Sequence, residues 1–314
     1  VIMAPDQKPF FVATYLPKEA RFGRSGLKEI LLKIKELWHH DRPALNNAAQ
    51  KVTQAIQPSF SPASHMELSD LTLHKAFAQF KKRYDPLFGG FGEAPKFPQA
   101  HVYLFLLSYG HTTKNEKALD MVKTSLSSMR RGGIYDHLGF GFSRYSVDEK
   151  WLVPHFEKML YDNALLAYTY TSAYQATGEA DFRRVAEEIF QYVERVMTSE
   201  EGGFFSAEDA DSEGEEGKFY VWTPEDIGRI LGEKEAELFC DIYDVTLEGN
   251  FEGKNILHLI GVDLDQKAKQ YGLRQDELEE KLALARQKLF EVREKRVHPH
   301  KDDKILTAWN GLMI

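Results

Sequence analysis

The sequence predicts a mainly α-helical protein whose helices pair antiparallel and form part of an α/α toroid. Three observations predict this. Apolar residues recur at helical spacing over roughly 69–84, 99–111, 115–130, 154–177, 180–198, 224–242 and 274–295, and again from 303. Several of these segments run into paired glycines followed by an aromatic or aliphatic residue: RYDPLFGGFG at 83–92, SSMRRGGIYD at 127–136 and TSEEGGFFSAEDAD at 198–211. The spacings are unequal, but the unit of helix, glycine turn, loop and helix repeats, and internal repeats decide architecture. Finally, strand signals do not alternate with the helices, which argues against a doubly wound parallel sheet. Such pairs return their loops to one rim around a central pocket, so the three glycine turns are expected on that rim.

Each element has its own justification. VIMAP and FFVATYLP read as two short strands around the PDQK turn. LKEILLKIKELWHH places Leu27, Ile30, Leu31, Ile34 and Leu37–Trp38 along one helical stripe. A hairpin and one helix cannot enclose a core, so residues 1–45 are read as the end of a separate domain. Residues 46–68, polar and containing QPSFSPAS, are read as a linker ending at a helix start near Ser69 or Asp70. Residues 69–314 form the incomplete toroid. In it the segment 154–177 is small or apolar on nearly every face beyond Leu160 and belongs inside. The chain opens in a strand-like run and stops in the helical ILTAWNGLMI without capping chemistry, so it is read as a fragment.

With 43% hydrophobic and 28% charged residues, the 314-residue chain has the composition of a soluble globular protein. Its net charge of −8, with no basic stripe, argues against a nucleic-acid binder. No apolar run reaches membrane-span length, and VIMAPDQKPFF lacks the regions of a signal peptide. The lone Cys240 has no intrachain partner and fits a reducing, cytoplasmic setting. No cofactor or metal is expected, and the expected partner is a small molecule.

The chemistry concentrates in GGIYDHLGFGFSRYSVDEKWLVPHFEKMLYDNALLA, residues 132–167. Pro154 fits the first turn of a helix. His155 and Glu157 would follow in that turn, where the dipole keeps an imidazole neutral and basic, with Asp162 two turns on. Asp136 and His137 follow the glycine turn, opposite Arg144 and Tyr145, whose planar guanidinium suits a carboxylate or paired hydroxyls. An Arg144–Asp136 pair that merely closes the loop is the alternative. Glu208, Asp209 and Asp211 crowd a third loop, where repulsion can raise one carboxyl into the range of an acid. A Ca²⁺ site and a solvated acidic loop are the other readings. In HPHKDD, His298 and His300 give a weak metal signal, and Asp302 or Asp303 can cap a helix at Ile305. Aromatics flank these loops, Trp222 and Trp309 among them, and suit stacking on sugar rings, although core packing is the default for each. The candidate catalytic residues are therefore His155, Glu157, Asp136, Glu208 and Asp302. The candidate substrate-binding residues are His137, Arg144, Tyr145, Asp162, Asp209, Asp211, Asp303, Trp222 and Trp309.

Four blocks, GGFGEAPKFP (89–98), 132–166, GGFFSAEDADSEGEEGKFYVWT (202–223) and HPHKDDKILTAWNGLMI (298–314), resemble the thioredoxin-domain-containing proteins similar to spermatogenesis-associated protein 20. The resemblance covers essentially the whole chain. It implies a thioredoxin-like domain, of which residues 1–38 would be the last hairpin and closing helix, followed by a six-hairpin, glycosidase-like (α/α)6 toroid. The family's active-site cysteine and cis-proline loop precede this hairpin, and its toroid continues past Ile314. Phe140 stands where family members usually carry a third glycine after Leu-Gly, and His298 where many carry Arg. Two functions are expected from these observations. One is a carbohydrate-binding or carbohydrate-processing toroid with epimerase-, isomerase- or hydrolase-like acid/base chemistry. The other is a non-catalytic, redox-linked module that presents the thioredoxin-like domain to partners. Convergence of His155, Asp136, Glu208 and Asp302 on one cavity would favour the first.

Overall fold

The structure is a computed structural model, and it describes residues 1–21, 23, 25–60 and 69–314. The chain divides into two compact units, Val1–Ser69 and Asp70–Ile314. In the first, β1 (Ile2–Met3) pairs antiparallel with β2 (Pro9–Phe11) across the expected turn. The helix α1 (Leu27–His40) follows, and α2 (Arg42–Phe60) packs on both α1 and β2. The stretch from 46 to 60 is thus helix rather than linker. Its Asn and Gln residues masked Leu45, Ala49, Val52 and Ile56, a stripe at helical spacing whose first two members are buried. The rest of the expected linker, 61–68, lies outside the described residues.

The second unit is mainly helical. Its elements are α3 (Asp70–Arg83), α4 (Ala100–Thr113), α5 (Glu116–Arg131), the strand β3 (Lys158–Met159), α6 (Leu160–Thr177) and α7 (Ala180–Tyr192). A π-helical turn, Val193–Met197, extends α7. Then come β4 (Ala207–Glu208), β5 (Asp211–Ser212), β6 (Glu215–Glu216), α8 (Pro224–Leu231), α9 (Glu233–Tyr243), α10 (Leu264–Gln270), α11 (Gln275–Arg293), β7 (Lys301–Asp302) and α12 (Thr307–Met313). Two-residue connections join α4 to α5 and α6 to α7, which makes each pair antiparallel. The helices α4, α6 and α12 pack side by side, with α3, α5 and α7 against them. These are the alternating layers of an α/α toroid. As expected, α6 is the central element, burying Leu160, Ala164, Leu166, Ala167, Tyr170 and Ala173. A second core under α8, α9 and α11 is built on Phe239, Ile242, Leu278 and Leu289.

The loops from outer to inner helices are joined along one rim. Lys96 and Ser146 exchange backbone hydrogen bonds of 2.8 and 2.9 Å, linking the first glycine loop to the second. The second meets the third through β3–β4, and the third meets the 298–306 segment through β4–β7. Close approach explains two of the glycines. A Cβ on Gly132 would sit 2.3 Å from the Trp151 carbonyl oxygen, and one on Gly133 would sit 2.1 Å from that of Leu152.

The expected helix start at Pro154 is displaced. Residues 154–157 are not helical, with Phe156 at φ +62°; β3 follows, and α6 begins at Leu160. Pairing of β3 with β4, far away in sequence, outweighs the local preference of proline for a first helical turn. The pattern at 224–242 is likewise two helices, broken at Gly232 with φ +81°.

Candidate functional site

The predicted residues fall into two groups. The first is a buried ionic cluster beneath the rim. Asp136 is almost fully buried, and its Oδ2 accepts from Lys158 Nζ at 2.8 Å. Its Oδ1 accepts from Arg293 Nη1 at 2.8 Å and from the backbone N–H groups of Leu138 and Gly139 at 3.0 Å. Burial opposes its charge, yet the Arg293 and Lys158 cations hold the carboxyl far below the usual carboxylate range. Lys158 also donates to the Phe140 carbonyl at 2.8 Å. Burial pulls its ammonium down, against the upward pull of Asp136 and Glu208. Glu208 accepts from the Tyr192 hydroxyl at 2.8 Å, and burial pushes that phenol well up. Apart from Arg293 Nε, which is buried without a partner, these polar groups are met within the protein, so the cluster ties loops to α11.

His137 belongs with this interior. Its Nε2 lies 3.0 Å from the Gly132 carbonyl and its Nδ1 3.2 Å from Arg130 Nη1. Burial and the Arg130 charge push its pKa well down, so the neutral ring donates from Nε2 and accepts at Nδ1. Trp222 is also core, with the Arg296 guanidinium 3.9 Å over its ring. Neither faces the rim.

The second group is open at the rim. Arg144 Nη1 lies 3.1 Å from Glu157 Oε2, while its Nε is buried without a partner. The Tyr161 hydroxyl neighbours Arg144, and the Tyr161 ring meets Trp309 of α12 edge-on at 4.8 Å. Asp162, in the first turn of α6, is mostly buried, and its Oδ2 has no partner. Burial lifts its carboxyl to about 7; Arg144 opposes the rise and Glu157 adds to it. The helix dipole favours the ionised form by only about 0.3–1 kcal/mol and is outweighed. On the other side of Arg144, the rings of Phe97 and Tyr145 lie 4.8 Å apart, and His155 meets Tyr145 edge-on at 4.7 Å. His155 Nδ1 is 3.5 Å from Glu216 Oε1.

The structure therefore brings together Arg144, Tyr145, His155, Glu157, Asp162 and Trp309 of the expected set. His155 is not in a helix, and its acidic neighbour is Glu216 rather than Asp162. Asp302 pairs with Lys304 at 2.5 Å instead of capping a helix; the residue preceding α12 is Leu306, which makes no side-chain cap. Asp209 and Asp303 are exposed, and Asp211 lies in the exposed β5–β6 hairpin. Asp136, His155, Glu208 and Asp302 thus do not converge on one cavity. Among the described residues no group of three or more His, Cys, Asp or Glu side chains is arranged to hold a metal, and no helix is long and apolar enough to cross a membrane. Residues that sequence reasoning missed are Lys158, Arg130 and Arg293, which neutralise the buried acids, and Tyr161, which completes the rim together with Phe97, one of the aromatics expected beside the loops. Phe97 lies in GGFGEAPKFP and Tyr161 beside Asp162, so position held the signal; Arg293 carried none, looking like an ordinary basic residue in a helix's last turn.

This is a helical toroid-type unit preceded by a thioredoxin-like segment. Residues 1–57 match the family model Thioredox_DsbH, described as a protein of unknown function, DUF255. The chain belongs to the family of proteins similar to spermatogenesis-associated protein 20: it is 37% identical to the human protein, which it matches over 100% of its own length and 44% of that protein's. It is 33% identical to uncharacterized protein B0495.5 of Caenorhabditis elegans, over 100% of its own length and 47% of that protein's. The chain thus spans less than half the length of these relatives. Among solved structures, a sugar epimerase from a ruminal bacterium aligns at TM-score 0.41 and 16% identity, covering 75% of this chain and 76% of that one. Cellobiose 2-epimerase from Spirochaeta thermophila DSM 6192 aligns at TM-score 0.39 and 21% identity, covering 45% and 40%. Likeness at this level transfers no substrate or chemistry to this chain.

Proposed function

We propose that the rim site binds a carbohydrate and that Asp162 exchanges a proton with it, in epimerase-, isomerase- or hydrolase-like chemistry. The carrying observation is the Asp162 carboxyl: buried, with a free oxygen, and poised near neutrality beside a guanidinium. A group with a pKa near the working pH is both a competent donor and a competent acceptor. The neighbours supply the other needs of a polyhydroxylated ring. Arg144 offers a planar fork of donors, Glu157 an acceptor, and Tyr161 and Trp309 apolar faces. His155, on the far side of Arg144, orients a ligand through Tyr145.

A thermal-shift screen of neutral sugars and uronic acids tests the reading, because a ligand bound only by the native state raises the melting point. Asp162→Asn keeps the shape of the carboxyl and removes its proton chemistry. We expect it to retain the ligand-induced shift and to lose turnover of the same sugar by at least about 100-fold, as for loss of a general acid. A screen in which no sugar shifts the melting point, or an Asp162→Asn variant with full turnover, overturns it.

A further inference from the structure

Outside both groups, a cleft of about 690 Å³ lies among the 212–222 segment, α8 and the end of α11. Volumes of this order hold small-molecule ligands. Its walls carry Lys218, Arg229, Lys254, Lys295 and Arg296 against Glu213 and Asp226, five cations to two anions. That excess stands out in a chain whose net charge is −8. Two of the cations are already engaged, Lys218 with Glu213 and Glu215 and Arg229 with Asp226. Lys254, Lys295 and Arg296 form no ion pair among the described residues.

Arg296 is the fixed point of this cleft. Its Nη1 donates to the carbonyls of Phe219 and Val221 at 2.8 and 2.9 Å, and its plane lies over Trp222. These contacts hold the fork still, while no acceptor among the described residues takes its remaining N–H groups. Burial and the nearby Arg293 push the guanidinium down to about 10, against the weaker upward pull of Asp226, which is itself paired with Arg229.

We propose that this cleft binds a small phosphomonoester, its dianion held by Lys254, Lys295 and Arg296 and its ring resting on Ile230 and Val292. Three uncompensated cations suit a dianion, whereas a single carboxylate would leave most of their charge unmet. A fixed guanidinium fork also matches phosphate geometry. The site is separate from the sugar rim and does not depend on it.

The test is titration calorimetry of the protein with glucose 6-phosphate, with glucose and glucuronate as controls. We expect glucose 6-phosphate to bind, to weaken as salt is added, and to bind at least tenfold more tightly than glucuronate. The double variant Lys254→Glu/Lys295→Glu should weaken it at least tenfold, about 1.4 kcal/mol, with a nearly unchanged melting point because Lys295 is exposed, Lys254 is half-buried, and neither makes an ion pair among the described residues. Asp162→Asn should leave it unaffected. The proposal is overturned if glucose 6-phosphate does not bind at millimolar concentration, binds the double variant as well as the wild type, or binds no better than glucose. Loss of binding in Asp162→Asn also overturns it, because the phosphosugar would then occupy the rim.

Discussion

Asp162 shows what a single residue can reveal about pH. Its carboxyl is raised to about 7 in the folded protein from the ordinary 3.8. A raised acid favours the folded state only while protonated, so its contribution is fully present below about pH 4 and is lost as pH rises through 7. Above pH 7 the native state carries the whole cost of a buried, poorly paired charge. Asp162→Asn removes that cost. It should stabilise the protein by roughly 2–4 kcal/mol at pH 8 and by little at pH 4, read from urea midpoints at the two pH values. Equal midpoints for variant and wild type at pH 8 would mean that the carboxyl is well solvated and not poised. Phe140 adopts φ +68°, a conformation that glycine takes at no steric cost, at the position where the family resemblance implied a glycine. Its backbone must still turn there, because its carbonyl receives the Lys158 ammonium.

Among the elements, the glycine turns divide by what their neighbours leave room for. A Cβ on Gly133 would meet a backbone carbonyl at 2.1 Å and Ile256 Cγ2 at 2.4 Å, and neither can retreat easily. On Gly203 it would meet only Ile305 side-chain atoms at 3.0 Å. Gly133→Ala should therefore cost about 2 kcal/mol or more, as overpacking of a close backbone contact does, and Gly203→Ala less than about 1 kcal/mol. Equal losses of melting temperature in the two variants would contradict this account. The same contrast shows what was legible in the sequence. Helical periodicity placed α3, α4, α5 and α11 within a residue or two, and α7 likewise once its π-helical turn to Met197 is counted, because their apolar stripes are local patterns. The paired glycines correctly marked the returns to the rim. The start of α6 was not legible, since it depends on β3 pairing with β4 about 50 residues away. That non-local pairing took His155 and Glu157 out of the helix and left Asp162 in its first turn. The helix α2 was missed for the opposite reason, its stripe being local but diluted by Asn and Gln.

For the helical unit as a whole, the buried ions are its fastenings. Lys96 is fully buried, and its three N–H groups reach Asp85 Oδ2 at 2.6 Å and the carbonyls of Gly89 and Glu149 at 2.8 Å, welding the first loop to the second. Asp136 does the same over a longer span, binding Lys158 beside it and Arg293 at the end of α11, 157 residues away in sequence. A buried ion pair adds little net stability compared with apolar residues of the same shape, but removing one partner strands the others. Asp136→Asn strands two cations, with Glu208 left as the nearby anion, and should cost about 3–5 kcal/mol. Lys158→Met should cost less, because Arg293 still neutralises Asp136. The double variant should cost less than the sum of the two, the signature of coupled groups. Because the Asp136 carboxyl is depressed, its stabilisation is present above pH 4 and is lost only as pH falls through its much lower folded value. The wild type should therefore lose this contribution only in strong acid, while the gap between it and Asp136→Asn stays constant from pH 5 to 8. Urea unfolding of the four proteins across that range checks both statements, and strictly additive costs would show that Asp136 and Lys158 do not act as a coupled pair.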